Sequence, residues 1–187
     1  MRNRLTLAFF LMALVAVGAA QDSKGKDERR TVTQVLDRTV ANVEEDFVPA
    51  AEAMPEDKFG FAPSNGEFKG VRTFGEQVKH VAAVNYLFGA AILGEKVPVG
   101  VGDESGPTSI KTKAEIISYL KASFAYVHKA VQTINDKNLV ELVQSPFGEG
   151  KVTRLGLATS VSSHGFDHYG QMVEYLRMNG IVPPASK

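Results

Sequence analysis

Residues 153–180 read TRLGLATSVSSHGFDHYGQMVEYLRMNG, and this stretch decides the fold. Thr153 is a residue type that caps helix N-termini. After it, Leu157, Val161, His164, His168, Met172 and Tyr175 recur at three- and four-residue steps. That period is helical and puts all six on one face. Gly180 stands where a glycine belongs just beyond a helix, and Pro183-Pro184 prevents the helix from resuming. The spacing predicts a helix capped by Thr153 and running to Met178 or Asn179. Its inward stripe is apolar except for two histidines.

The same period occurs three more times upstream. From Thr31, the residues Val32, Val35, Leu36, Val40, Val43 and Phe47 mark a first helix, which Pro49 is expected to end or bend. The loop from Met54 to Gly70 is rich in Pro, Gly, Asn and Ser. It carries Phe59, Phe61 and Phe68, which are expected to pack on the domain. Thr73 followed by Glu76 is a capping box that opens a second helix through Val78, Val81, Leu87, Phe88 and Ala91. His80 lies in this run, with Gln77, Val84 and Leu87 on its stripe. A second capping box, Thr112 to Glu115, opens a third helix through Ile116, Ile117, Leu120, Phe124, Val127 and Val131, with Asn135-Asp136 expected to close it. Pro146 to Gly150 is a turn region. Four long amphipathic segments without a credible sheet predict an all-α four-helix bundle. The connection from Gly94 to Thr108 is long enough to run the length of such a bundle. A long crossover between helices 2 and 3 is therefore expected instead of a simple up-down-up-down path.

The N-terminus reads differently. Arg2 and Arg4 precede an unbroken apolar run from Leu5 to Val17, and Gly18-Ala19-Ala20 supplies small residues for cleavage. This is the pattern of a secretory signal peptide. The expected organisation is a signal peptide at 1–20, a flexible polar lead-in at 21–30 and the bundle at 31–187, with export to the periplasm or beyond the cell. The chain has no cysteine, which excludes disulfides, thiolate metal sites and a cysteine nucleophile. Lys and Arg number 21, as do Asp and Glu, and loss of Arg2 and Arg4 leaves 19 basic against 21 acidic residues. That balance gives no electrostatic footprint for nucleic acid. No basic amphipathic stretch favours a membrane surface after signal cleavage.

His164 and His168 are spaced H-x-x-x-H, so both imidazoles leave one helical face, one turn apart. His80, from another helix, can complete a set of three protein ligands with an open position, the arrangement of catalytic metals. The bland alternative is a pair of core histidines satisfied by hydrogen bonds, since buried polar groups need partners. Imidazole-rich sites suit zinc, nickel, copper or iron, and one divalent ion, zinc or nickel first, is expected here. A zinc with three protein ligands keeps a water whose pKa falls toward about 7. Ring nitrogens that face away from an ion need acceptors. Asp167, Gln171, Glu76 and Asn85 lie within helical reach of that role. Gly165 and Gly170 leave room for a ligand or for close helix packing, and packing is the commoner reason. His128, late in the third helix beside Lys129, is expected to be a partly exposed surface residue. There is no G-x-S-x-G elbow, P-loop, dinucleotide fingerprint or H-E-x-x-H.

The run from His164 to Arg177, with Met178-Asn179-Gly180-Ile181-Val182-Pro183-Pro184 after it, resembles the C-terminal ending of the DinB-like family, metal-binding four-helix bundles that include the YfiT-type proteins. The run from Thr73 to His80 resembles that family's capped second helix with its first histidine. Met54-Pro55-Glu56-Asp57-Lys58-Phe59 is similar to its loop after helix 1. The likeness covers about 31–186. It implies an up-down-down-up path, and one divalent ion held by His80, His164 and His168 with an open site. Members include thiol-dependent transferases and isomerases that use mycothiol or bacillithiol. An exported chain departs from that setting, because low-molecular-weight thiols belong mainly to the cytoplasm. The expected activity is metal-dependent hydrolysis or lyase chemistry on a small substrate. The alternative is a binding protein that holds a metal or small ligand without turnover. A second copy, in a homodimer, is the one protein partner this reading allows for.

Overall fold

The structure, a computed structural model, describes residues 29–187. The expected signal peptide at 1–20 and most of the lead-in lie outside the described residues. Four helices carry the fold: α1 (Val32–Ala53), α2 (Phe74–Leu93), α3 (Lys113–Val131) and α4 (Arg154–Met178). Two short strands, β1 (Leu142–Gln144) and β2 (Lys151–Thr153), pair antiparallel before α4. Among the described residues no helix is long and apolar enough to cross a membrane.

Each helix begins where its side chains satisfy free backbone N–H groups. Thr31 with Gln34, Thr73 with Glu76 and Thr112 with Glu115 form reciprocal capping boxes, and the Thr153 hydroxyl accepts from Gly156 N–H. Gly94 (φ +69°) and Gly180 (φ +73°) supply the left-handed backbone beyond α2 and α4.

Side-chain pairs fix the directions of the helices. The start of α1 meets the end of α3 through Thr33 and Ile134, and its end meets the start of α3, where Lys113 Nζ donates to the carbonyls of Glu52 and Met54. These two helices are antiparallel. Gly75 lies against Ile116 and Gly89 against Tyr126, so α2 and α3 run parallel. Arg154 Nε donates to the Ile92 carbonyl and Tyr175 Oη to the Arg72 carbonyl, so α4 is antiparallel to α2. The path is up-down-down-up, and the 94–112 connection is the crossover. Phe47, Phe74, Phe124, Leu120, Met172 and Leu176 are fully buried at the centre.

Pro49 lies inside α1, which ends soon after it, at Ala53. The missing N–H and the ring clash are outweighed by the burial of Ala50, Ala51 and Met54, and the last carbonyls are taken by Lys113. The third helix closes at Val131 instead of Asn135-Asp136. Thr133 and Ile134 N–H groups bond three residues back, and the Thr133 hydroxyl takes the Ala130 carbonyl, which tightens and stops the turn. The β1–β2 hairpin was not expected, and Pro146 to Gly150 is its turn. Among the loop aromatics, Phe59 is buried and Phe61 packs edge-on to Tyr175, but Phe68 is exposed.

Candidate metal centre

The antiparallel contact of α2 with α4 brings His80, about two turns into α2, opposite His164 and His168. The three imidazoles offer one ligand atom each, all within 4.8 Å of one another. His80 Nε2 is 3.0 Å from His164 Nε2, and the His168 ring centroid is 4.7 Å from that of His80 and 4.5 Å from that of His164. Below them Gln77 Nε2 donates to Gln171 Oε1 at 2.8 Å, which ties the two helices together one turn from the cluster.

The tautomer of His80 follows from its neighbour. Its Nδ1 is 2.7 Å from the Glu104 carbonyl, which can only accept, so Nδ1 carries the proton and Nε2 the lone pair. That lone pair points at His164. The Nδ1 atoms of His164 and His168 are buried with no hydrogen-bond partner. Burial holds the rings neutral: desolvation, with a smaller contribution from His168 and then His80, pushes His164 down to about 3. Desolvation first and then His80 push His168 down to about 4. His80 is also lowered by desolvation, partly offset by the Glu104 carbonyl. Arg72 adds a smaller lowering to each of the three.

This donor set fits a divalent ion. Two nitrogens each about 2.1 Å from one tetrahedral ion lie about 3.4 Å apart, near the 3.0 Å between His80 Nε2 and His164 Nε2 and inside the 4.8 Å that bounds all three. Lone pairs of neutral imidazoles that converge inside the fold are what a metal satisfies and an apolar core does not.

The cluster sits on an open cleft of about 290 Å³ lined by Arg72, Val84, Glu104 and Phe147 besides the histidines. Arg72 Nη2 reaches Glu104 Oε1 at 3.3 Å, across the mouth. Phe147, at the hairpin turn, stacks edge-on against Phe88, which is itself edge-on to His164.

All three sequence-predicted ligands therefore meet in space, while the polar residues within helical reach of them are engaged elsewhere. Glu76 is spent on the α2 capping box, Asn85 donates to Ser123 Oγ, and Asp167 and Gln171 bond to each other. The acceptor that does hold a histidine is a backbone carbonyl in the crossover, at Glu104, and no side-chain motif could have shown it. Gly165 is a packing glycine, since a Cβ there would lie 2.5 Å from Val43 Cγ1; Gly170 faces open space. His128 is more engaged than expected: Nδ1 lies 2.6 Å from Asp37 and Nε2 3.1 Å from Glu44, which bridges α3 to α1 away from the cleft.

These features define a class, helical bundles with a histidine-lined cleft between two antiparallel helices. A family profile described as the DinB superfamily matches residues 39–172. The chain belongs to the DinB superfamily. Solved structures share its fold. A DinB-like protein from Bacillus cereus ATCC 10987 is 16% identical with a TM-score of 0.65, over 81% of this chain and 95% of that one. A conserved protein from Enterococcus faecalis is 19% identical with a TM-score of 0.63, over 80% and 98%. A DinB-like protein from Bacillus subtilis is 17% identical with a TM-score of 0.59, over 78% and 92%. No curated protein matches the chain significantly.

Proposed function

We propose that His80, His164 and His168 hold one divalent ion, zinc or nickel first, and that the chain acts at it on a small substrate, as a hydrolase or lyase. The observation that carries this reading is the mutual approach of three neutral imidazoles on an open cleft. When bound, the ion supplies Lewis acidity at an open position. The chain's residues do the rest. Glu104 fixes the His80 tautomer through its carbonyl, and among the described residues its carboxylate is the one acidic group lining the cleft, hence the candidate proton acceptor. Phe147 and Val84 supply the cleft's apolar lining. The residues before Gln21 support export, as a signal peptide, so the mature protein works outside the cytoplasm.

A second reading, a binding protein without turnover, is supported by the pairing of that single carboxylate with Arg72. Elemental analysis of mature protein and of a His164→Ala, His168→Ala double variant tests the metal site. About one ion per chain, lost in the double variant, is the expected result; no uptake of zinc or nickel by the parent protein would remove the reading. Glu104→Gln then separates the alternatives. Retained metal with lost turnover supports the enzyme, whereas a metal-loaded parent without turnover on a broad ester and amide screen supports the binder.

A further inference from the structure

We propose that the cleft selects small organic oxyanions, with the Arg72 guanidinium taking a carboxylate or phosphate group beside the histidine cluster and Phe147 and Val84 covering an apolar body. The proposal rests on the metal reading above for the ion's charge, and on residues of the chain for everything else.

The donor set comes first. Three imidazoles are neutral ligands, so they leave both positive charges of a divalent ion uncompensated. Arg72 lines the same cleft and adds another, and Glu104 cancels one of them. The loaded cleft is therefore cationic, and a cationic cleft draws an anion.

Arg72 is also built to receive one. Its backbone is anchored to α4, because Tyr175 Oη donates to its carbonyl at 3.2 Å, and it stands immediately before the Thr73 cap of α2. Its side chain is committed weakly: a guanidinium has five donors, and the contact to Glu104 is a single one at 3.3 Å, half exposed. An exposed single-donor pair contributes at most about 1 kcal/mol. The planar fork that remains matches the two oxygens of a carboxylate or phosphate.

The opposite wall is apolar. Phe147 is substantially exposed although it packs edge-on against Phe88, and with Val84 it gives the cleft its apolar lining. The hairpin turn that carries it has glycines at φ +74° (Gly148) and +149° (Gly150), which let the chain double back over the site. At about 290 Å³ the cleft suits a ligand with one ring or a short chain.

Calorimetric titration of zinc-loaded and metal-free protein with benzoate, phenylphosphonate and benzyl alcohol tests this, with metal content measured for every variant. Benzoate or phenylphosphonate is expected to bind the loaded parent, at least about tenfold more weakly to Arg72→Ala and with an intermediate loss in Arg72→Lys, at unchanged metal content. Whichever anion binds better identifies the carboxylate or the phosphate. Phe147→Ala is expected to weaken both, and benzyl alcohol to bind poorly and indifferently to Arg72. Lys79→Gln, which alters the neighbouring hollow that Arg72 also lines, is expected to bind as the parent does. Equal affinity in Arg72→Ala, loss in Lys79→Gln instead, or no anion binding to the loaded parent at millimolar concentration overturns the proposal. If the parent takes up no metal, the metal reading fails, and the metal-free titration decides this one. Arg72-dependent anion binding there supports it, and none overturns it.

Discussion

His80 Nε2 lies 3.0 Å from His164 Nε2, while the other nitrogen of His80 is fixed on the Glu104 carbonyl at 2.7 Å. The arrangement turns lone pairs inward and leaves Nδ1 of His164 and His168 buried without partners. Its stability depends on what it binds. His168→Leu replaces a buried, unsatisfied ring with an apolar side chain. The metal-free variant is expected to be about 1 kcal/mol more stable than the metal-free parent by urea denaturation. The parent with zinc at 100 times its Kd is expected to gain about 2.7 kcal/mol, and the variant nothing. A metal-free variant less stable than its parent would mean that His168 is a hydrogen-bonded core residue.

The pH dependence of the metal-free protein follows in sign. His164 and His168 are pushed down to about 3 and about 4, whereas in the unfolded chain a histidine titrates near 6.5. Below 6.5 the unfolded chain takes up protons that the folded chain refuses, so stability falls with falling pH until the folded values are reached. The carboxylates of Glu76 and Glu115, held below their ordinary 4.5 by the N–H groups of their caps, add a loss only at lower pH. The urea midpoint of the metal-free parent is expected to fall between pH 7 and pH 5. In a His164→Leu, His168→Leu variant that slope is expected to flatten.

The sequence shows its helices where periodicity and caps coincide. Thr73 with Glu76 and Thr112 with Glu115 place two helix starts to the residue, because each box is a local hydrogen-bond exchange. The His164–His168 pair was legible for the same reason: a four-residue step on an apolar stripe needs no tertiary information, whereas the approach of His80 to it depends on the α2–α4 contact. What escaped depends on distant partners. Pro49 is tolerated because the turn beyond it buries Ala50, Ala51 and Met54 against the other helices. Strands of three residues are too short to show alternation. His128 is partly exposed as expected, but its pairing with Asp37 and Glu44 of α1 has no local signal. Arg72 and Phe147 reach the cleft only through a loop and a hairpin, and neither carries a sequence signature.

Two glycines beside the histidines are expected to respond in opposite directions. A Cβ at Gly165 would meet Val43 Cγ1 at 2.5 Å, inside the α1–α4 contact. Gly165→Ala is therefore expected to destabilise by about 1–3 kcal/mol despite the better helix propensity of alanine. It also displaces the turn that carries His164, so weaker metal retention should accompany it. A Cβ at Gly170 meets nothing within 4 Å, and Gly170→Ala is expected to stabilise by up to about 1 kcal/mol. Chemical denaturation of both variants, with metal content measured alongside, checks the pair.

Glu104 offers its backbone to His80 and its side chain to Arg72, and these roles separate on truncation. Losing a side-chain acceptor behind a metal-binding histidine typically costs about 10–100-fold in metal affinity. Glu104→Ala keeps the carbonyl and removes only an exposed ion pair, whose contribution is at most about 1 kcal/mol. The His80 tautomer should therefore survive, and zinc affinity measured by competition with a chelator is expected to change by less than about fivefold. Arg72→Ala removes the same pair from the other side and is expected to match it in zinc affinity. A loss near a hundredfold in both variants would show instead that the ion pair holds the crossover in place, and that the carbonyl reaches His80 only while Arg72 and Glu104 stay joined.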